Sequence, residues 1–448
     1  MTIAPGFIIA APQSRSGKTT VTLALMALLK QKGIPVAPFK AGPDYLDGAW
    51  HQIILDRPSY NLDTFMVGSA ECCRLFREKR GQALGIVEGV MGLFDGRTGV
   101  GGPGSTADLA RQLGLPVLLV VNVRGMAGSL VPLVQGFVAA AEGFEIAGIL
   151  ANHAGSRNHA DRLAGWLAEY RLPPLIGWMG REEDLALQER HLGLTLPGEA
   201  PIPPSWDRLA RSLHLDWDLF SGCFQVLPEV ASTVASVAAS SAHTPLEGKK
   251  IAIAQDAAFT FIYAANLECL ERMGASLHFF SPLAGDSLPR DSDAVWLPGG
   301  YPEVHARQLA ASPTLGMLRD FGRSGGFILA ECGGMMALAA YLVDHRGDSW
   351  PMAGFFPMRT VMTSRLAGLG YRQERSGVRG HEFHHSIREP CPLPPAFVVD
   401  RGDGGLFLHN VRASYVHWYF PSAPDVVASW LGSSAWPGAS DREIVEHG

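Results

Sequence analysis

The chain has 448 residues, 37 Lys and Arg against 43 Asp and Glu, a formal net charge of −6 and 47% hydrophobic residues. That composition excludes general disorder, and a pI near 6.2 argues against a nucleic-acid or polyanion binder while leaving room for a local basic phosphate pocket. At ~150 residues per domain the length allows two or three domains, and 51 glycines and 31 prolines in so apolar a chain point to the many strand–loop–helix junctions of an α/β protein.

The first ten residues lack a basic start and run straight into a Gly-Lys-Thr loop, so no signal peptide is expected. No stretch approaches the ~18–20 apolar residues of a membrane helix. Six cysteines (Cys72, Cys73, Cys223, Cys269, Cys332, Cys391) form no Cys-x-x-Cys pair and no disulfide framework. The chain reads as a reduced, cytoplasmic protein.

Short apolar runs at 7–11, 36–39, 84–87, 117–121 and 146–150 are each followed within three residues by Gly, Pro or Asn. Their near-continuous apolar character predicts parallel strands with helices on both faces. Helices are expected at 19–31, 70–80 and 105–113, with Cys72 and Cys73 as packing residues of the second. A small-residue stretch at 228–248 predicts a linker. A second series of strands follows at 251–254, 277–280, 294–297 and 327–330. The expected domains are therefore 1–227 and 249–448.

After the first strand, residues 10–20 (AAPQSRSGKTT) have the strand–loop–helix context of a P-loop. Backbone N–H groups of such a loop wrap phosphate oxygens, Lys18 reaches the terminal phosphates, and Thr19 can hold Mg²⁺. Ser14, Ser16, Gly17, Lys18, Thr19 and Thr20 are the expected ATP contacts. Pro12 stands where the usual first glycine would, so that end of the loop should follow a different path. Acidic clusters end two later strands, KAGPDYLD (40–47) and VEGVMGLFDG (87–96). Open α/β sheets collect ligands at the carboxyl ends of their strands, so these groups should meet Lys18. Glu88 takes the place of a metal-holding acid, and oxygen donors suit Mg²⁺. Asn152 is either an adenine contact or the cap of the next helix.

In the second series, FILAECGGMM (327–336) reads as strand, tight turn and helix. Cys332 would sit at a helix N-terminus, where the dipole favours thiolate and Gly333 can donate to an oxyanion. Gly299 and Gly300 of LPGGYPE (297–303) end a neighbouring strand and suit a second oxyanion donor. His417 offers a base far along the chain, the usual arrangement for a thiol nucleophile. Two further motif matches are set aside. His381-Glu382-Phe383-His384-His385 fits H-E-x-x-H, but nearby Gly and Pro residues argue against the helix that a zinc site needs. Gly99–Gly104 fits G-x-G-x-x-G without a leading strand, and reads as a loop with Ser105 capping the next helix.

Taken together, GPDYLD (42–47), NLD (61–63), VEGVMGLFDG (87–96), GSTADLA (104–110), RHLGL (190–194), LPGGYPE (297–303), ECGGMM (331–336), GHEFHHS (380–386) and ASYVH (413–417) resemble the cobyrinic acid a,c-diamide synthase family. The resemblance covers nearly the whole chain. It implies two doubly wound domains, an N-terminal P-loop NTPase-like domain of the dethiobiotin-synthetase kind and a C-terminal class I glutamine amidotransferase-like domain. The implied reaction is ATP-dependent, glutamine-hydrolysing amidation of the a and c acetate groups of a cobyrinic acid-type tetrapyrrole. It further implies Lys40 beside the phosphates, Asp44 with Thr19 and Glu88 at Mg²⁺, and Tyr45, Leu46, Asp47 and Asp95 toward the substrate. Ammonia would have to pass unprotonated from one site to the other. A homodimer is among the assemblies left open.

Two departures stand out. Tyr419 occupies the place, two residues after His417, where many class I glutaminases carry an acid, and no third catalytic residue is assigned. Gly48 stands where relatives commonly have proline. The competing readings are the same chemistry on hydrogenobyrinic acid or Ni-sirohydrochlorin, and a P-loop nucleotide switch. The last commonly carries a lysine at the position of Gln13 and has no fused Cys–His domain.

Overall fold

Each apolar run read as a strand is one in the computed structural model, which describes residues 6–180, 189–190, 193–194, 206–223 and 243–433. The chain divides into two units, Met1–Thr233 and Val234–Gly448. Most of the expected linker, 228–242, lies outside the described residues.

In the first unit, strands β1 (Gly6–Ala10), β2 (Val36–Ala41), β3 (Tyr60–Leu62), β4 (Leu84–Glu88), β5 (Val117–Asn122), β6 (Ile146–Asn152) and β7 (Leu175–Met179) alternate with helices α1 (Lys18–Gln31), α2 (Leu46–Leu55), α3 (Ser69–Arg80), α4 (Thr106–Leu113), α5 (Leu130–Ala139) and α6 (Arg157–Glu169). A two-stranded pair, β8 (Glu189–Arg190) with β9 (Gly193–Leu194), then precedes α7 (Trp206–Ser212), β10 (Leu213–Leu215) and α8 (Trp217–Gly222). The main sheet runs β10-β7-β6-β5-β1-β4-β2-β3, parallel except for β10.

Every residue of β1 is buried because helices cover both faces, so apolar side chains are needed on both sides rather than on alternate positions. One core packs Phe7, Ile9, Ile86, Leu118 and Val120 against Leu25 and Leu29 of α1. The chain leaves β1 toward β2 on one side and reaches β5 on the other. The end of β1 is thus the switch point of the sheet, where open α/β folds bind ligands.

The second unit contains β11 (Lys250–Ala254), α9 (Ala264–Arg272), β12 (Ser276–Phe280), β13 (Ala294–Leu297), α10 (Ala306–Ala310), α11 (Pro313–Arg323), β14 (Phe327–Glu331) and α12 (Gly333–Leu338). After them come β15 (Ala339–Val343), β16 (Ser349–Pro351), β17 (Phe356–Met362), β18 (Gly368–Gln373), β19 (Arg379–His384), β20 (Ser386–Arg388), β21 (Leu406–Leu408), β22 (Val411–Ser414), β23 (His417–Tyr419) and α13 (Pro424–Trp430).

The central sheet is β12-β11-β13-β14-β22-β21, with β21 antiparallel to β22. Its two faces separate by strand parity. Ala252, Val295, Leu297, Ile328 and Ala330 enter one core, and Ile251, Ile253, Trp296 and Leu329 enter the other. Smaller sheets, β16-β15-β17-β20 and β18-β19-β23, follow. The sequence reading did not resolve these antiparallel pieces, whose short strands mix glycines and charges.

Candidate active sites

At the first site, β1 delivers residues 11–17 to the N-terminus of α1. Arg15 and Gly17 adopt positive φ (62° and 88°), which turns the loop back on itself. A Cβ on Gly17 would lie 2.0 Å from Nδ2 of Asn152, so only glycine fits. Asn152, at the end of β6, donates to the carbonyl of Ser16 at 3.1 Å and accepts from the N–H of His153 at 3.0 Å. Its amide braces the loop itself, and Ser156, not Asn152, caps α6. Ser16 is buried and donates to the carbonyl of Gln13, while Ser14 is exposed. Ser105 caps α4 as expected, accepting from the N–H of Asp108 at 3.0 Å.

Lys18 Nζ donates to the carbonyl of Met91 at 2.5 Å, in the loop after β4. Burial, together with the neighbouring Lys40 ammonium, lowers its pKa to about 8. Next to it lies a buried charge cluster. Lys40 Nζ is 2.6 Å from Asp47 and 3.6 Å from Glu88, and donates to the carbonyl of Gly89 at 2.9 Å. Burial opposes its charge, but Asp47, Glu88 and Asp44 outweigh burial and hold it well above the usual lysine range. Glu88 is fully buried, yet Lys40 and hydrogen bonds from His51 and Thr19 hold it ionised, below the usual carboxylate range. Thr19 Oγ1 donates to Glu88 at 2.6 Å and lies 3.4 Å from Asp47.

The structure therefore brings Asp47, rather than Asp44, close to Thr19. Asp44 spends one carboxylate oxygen capping α2, accepting from the N–H groups of Leu46 and Asp47, and its other oxygen is 4.0 Å from Lys40. Burial and the facing acids raise the pKa of Asp47 well above normal, offset in part by Lys40. Asp95 accepts from the N–H of Gly92 at 2.8 Å and is exposed, and Tyr45 and Leu46 at the start of α2 are half-buried. His51 on α2 escaped the sequence reading. It is fully buried, with Nε2 2.8 Å from Glu88 and Nδ1 3.1 Å from the Ser59 hydroxyl. Its position one turn after Asp47 on the same helix was the available signal.

Oxygen donors on Thr19, Asp47 and Glu88 suit Mg²⁺ in kind and in number once phosphate oxygens complete the shell. Among the described residues no group of three or more His, Cys, Asp or Glu could hold a metal by itself. A cavity of about 740 Å³ lies past Asn152, lined by Arg124, His153, Ser156, Trp178, Arg211 and His214. The rings of Trp178 and His214 stack in its wall at 4.1 Å.

At the second site, Cys332 follows β14 with φ 45° and ψ −103°, a strained conformation for a residue with a side chain, of the kind that marks functional elbows. Its N–H donates to the carbonyl of Ser414 at 2.7 Å, and the Gly333 N–H donates to its thiol. A Cβ on Gly333 would come within 3.0 Å of the Gly300 nitrogen, and a Cβ on Gly299 within 2.2 Å of His417 Cε1. Gly299, Gly300, Gly333, Cys332 and His417 thus gather at the carboxyl ends of β13, β14 and β22. The sequence predicts a favoured thiolate, but burial, with Glu303 facing the thiol, pushes Cys332 well above the usual range. A helix as short as α12 does not offset that desolvation.

His417 opens β23, fully enclosed, and burial with nearby His381 and His384 keeps its imidazole neutral. The strand is tightly fastened. Trp418 N–H donates to Glu331 at 3.0 Å, and Asn266 Nδ2 donates to the Trp418 carbonyl at 2.8 Å. The H-E-x-x-H stretch is strand β19, not helix, so its side chains alternate faces. Glu382 pairs with Arg372 at 2.7 Å, and the His384 ring stacks on Tyr415 at 3.8 Å. No helix of the described residues is long and apolar enough to cross a membrane.

Residues 7–194 match the family described as CobQ/CobB/MinD/ParA nucleotide binding domain. Residues 250–424 match the CobB/CobQ-like glutamine amidotransferase domain. Over 442 residues the chain is 39% identical to a cobyrinate a,c-diamide synthase of Herminiimonas arsenicoxydans, covering 94% of this chain and 95% of the relative. It is 39% identical over 449 residues to a hydrogenobyrinate a,c-diamide synthase of Stutzerimonas stutzeri (95% and 98% covered). A cobyrinate a,c-diamide synthase of Salmonella typhimurium is 36% identical over 453 residues (96% and 98% covered).

Proposed function

As a member of the cobyrinate and hydrogenobyrinate a,c-diamide synthase family, this chain is a glutamine-dependent ligase of cobalamin biosynthesis, and we propose that its two units divide the reaction between carboxylate activation and ammonia release. In the first unit, ATP lies along the loop at residues 11–17, with Ser14, Ser16, Gly17 and Thr20 at its phosphates and its base in the cavity beside Trp178 and His153. Lys18 exchanges the Met91 carbonyl for a terminal phosphate oxygen, and Lys40 faces the transferring group. Thr19, Glu88 and Asp47 hold Mg²⁺, with Asp44 nearby, and the ion when bound neutralises charge on the phosphates. His51 fixes Glu88 by binding its second oxygen.

The substrate acetate attacks the γ-phosphorus, ADP leaves, and ammonia displaces phosphate from the acyl phosphate. Tyr45, Leu46 and Asp95, around the start of α2 and the loop after β4, face the ring. In the second unit, Cys332 Sγ attacks the carboxamide carbon of glutamine. His417 takes the thiol proton and returns it to the leaving ammonia, and water then releases glutamate. The N–H groups of Gly300 and Gly333, with the Gly299 turn, supply the oxyanion site. The reaction belongs to the cytoplasm, where ATP and glutamine are supplied.

The observation that carries this reading is the buried Lys18–Lys40–Asp47–Glu88 cluster, with Thr19 bound to Glu88, at the switch point of a nucleotide-binding sheet. Perturbed titratable groups gathered at such a switch point are the pattern of a functional site. Purified enzyme with ATP, Mg²⁺ and glutamine is offered cobyrinic acid and hydrogenobyrinic acid in parallel. Two successive replacements of OH by NH₂, read by mass on cobyrinic acid, are expected. Amidation of hydrogenobyrinic acid alone would reassign the ring, and nucleotide hydrolysis without amidation of either would sink the proposal.

A further inference from the structure

The base of the second site lacks a carboxylate two residues on, since Tyr419 occupies that place. Its ring is nevertheless enclosed on three sides. Strands β19 and β23 pair antiparallel with His381 directly opposite His417. Cross-strand neighbours on one face of a sheet are close enough for ring contact, and here the two imidazoles stack at 5.0 Å with planes 22° apart. Phe261 meets His417 edge-on at 5.7 Å, and Gly299 lies against Cε1. The close pairing depends on Gly380, where a Cβ would fall 2.3 Å from the His417 carbonyl oxygen. His381 is held from behind, its Nδ1 sharing a 3.1 Å hydrogen bond with the Tyr263 hydroxyl. Tyr263 in turn packs against Tyr419 at 5.8 Å.

We propose that His381, backed by Tyr263, is the positioning residue of the glutaminase, holding the His417 imidazole in line with Cys332 by ring stacking where related sites use a carboxylate. This rests on the thiol reading of Cys332 and His417. The physical reason is that a ring free to rotate about its Cα–Cβ bond spends most of its time out of line with the thiol. A stacked neighbour at fixed register removes that freedom without adding charge beside a thiol that burial already keeps protonated. The stretch that mimics a zinc motif thereby acquires a use for its first histidine. The charged and titratable groups around the pair include the Cys332 thiol with Glu303, the Glu382–Arg372 pair and His384 on the opposite face of β19, and Glu331 under Trp418.

The test uses the full chain with nucleotide and corrin substrate, measuring glutamate release and, separately, amidation driven by added ammonium chloride. His381→Ala and His381→Gln are expected to lower kcat for glutamine about 10- to 100-fold. The KM for glutamine and the ammonia-driven rate should stay within about twofold of wild type. His381→Phe restores a ring opposite His417 and is expected to recover most of the loss. A glutamine kcat within about twofold of wild type in His381→Gln overturns the proposal, as does a His381→Phe variant no better than His381→Gln. If His381→Ala fails to fold and loses the ammonia-driven rate as well, the Gln and Phe pair decides alone. Cys332→Ala is run alongside. Undiminished glutamate release there would show that the thiol reading itself is wrong, a failure distinct from that of His381.

Discussion

At the carboxyl edge of the first sheet, Lys18, Lys40, Asp47 and Glu88 are buried against one another, with Lys40 and Glu88 held firmly charged. At the carboxyl edge of the second, Cys332, His381, His417 and Glu331 are equally buried, and each is pushed toward its neutral form. Both sites sit where parallel strands end, so the fold alone does not set the difference. Partner spacing does. In the first unit Lys40 lies 2.6–3.6 Å from Asp47 and Glu88, and opposite charge overcomes desolvation at Lys40 and Glu88, while Lys18 and Asp47 stay shifted toward their neutral forms. In the second, the histidines face each other and the thiol faces a carboxylate, so desolvation decides. The first site keeps standing charge at Lys40 and Glu88, whereas the enclosed thiol site rests with thiol and imidazole both neutral.

The largest expected effects separate the two sites by nitrogen source. Lys18→Ala should cut amidation about 10²- to 10³-fold with either glutamine or ammonia, because a preorganised charge at the phosphates is gone. Cys332→Ala should abolish glutamine-driven amidation, by about a thousandfold or more, and spare the ammonia-driven rate. Parallel loss of both rates in the second variant would erase the division of labour.

A smaller effect tests the charged site through pH. With its pKa lowered to about 8, Lys18 is charged at pH 7 and largely neutral at pH 9 in the free enzyme. Bound phosphate restores the charge, so nucleotide binding at pH 8.5 should take up protons and affinity should fall as pH rises past 8. Calorimetry in buffers of different ionisation enthalpy reads this directly, and Lys18→Arg should show no uptake. Equal proton balance in both proteins would break the assignment.

The smallest effect concerns the neutral site. Burial raises Glu331 to about 8, against the N–H donors of Trp418 and Trp296 that pull it down. A raised carboxyl pKa gives stability that is complete below the unfolded value and is lost as pH rises through the folded one. Relative to Glu331→Gln, the wild-type second unit should therefore lose ~2–5 kcal/mol between pH 4.5 and 8.5, at ~1.4 kcal/mol per pKa unit. Denaturant midpoints at the two pH values check it, and a flat difference would show Glu331 charged like its counterpart Glu88.

Much of this was legible in the chain. Continuous apolar runs such as 117–121 can only be satisfied by burial on both faces, so the parallel strands and their order along the chain follow from pattern alone. Gly-Lys-Thr after a strand, and Cys-Gly-Gly after another, name their chemistry because few residue types tolerate those turns. Tertiary structure decided what those residues meet. That His51 reaches Glu88, that Asp47 and not Asp44 approaches Thr19, and that His381 lies across from His417 depend on helix rotation and strand register. These vary within one local pattern until packing fixes them. Protonation followed the same rule. Sequence supplies a thiol and an imidazole, but only enclosure by the fold removes the water that would have kept them ordinary.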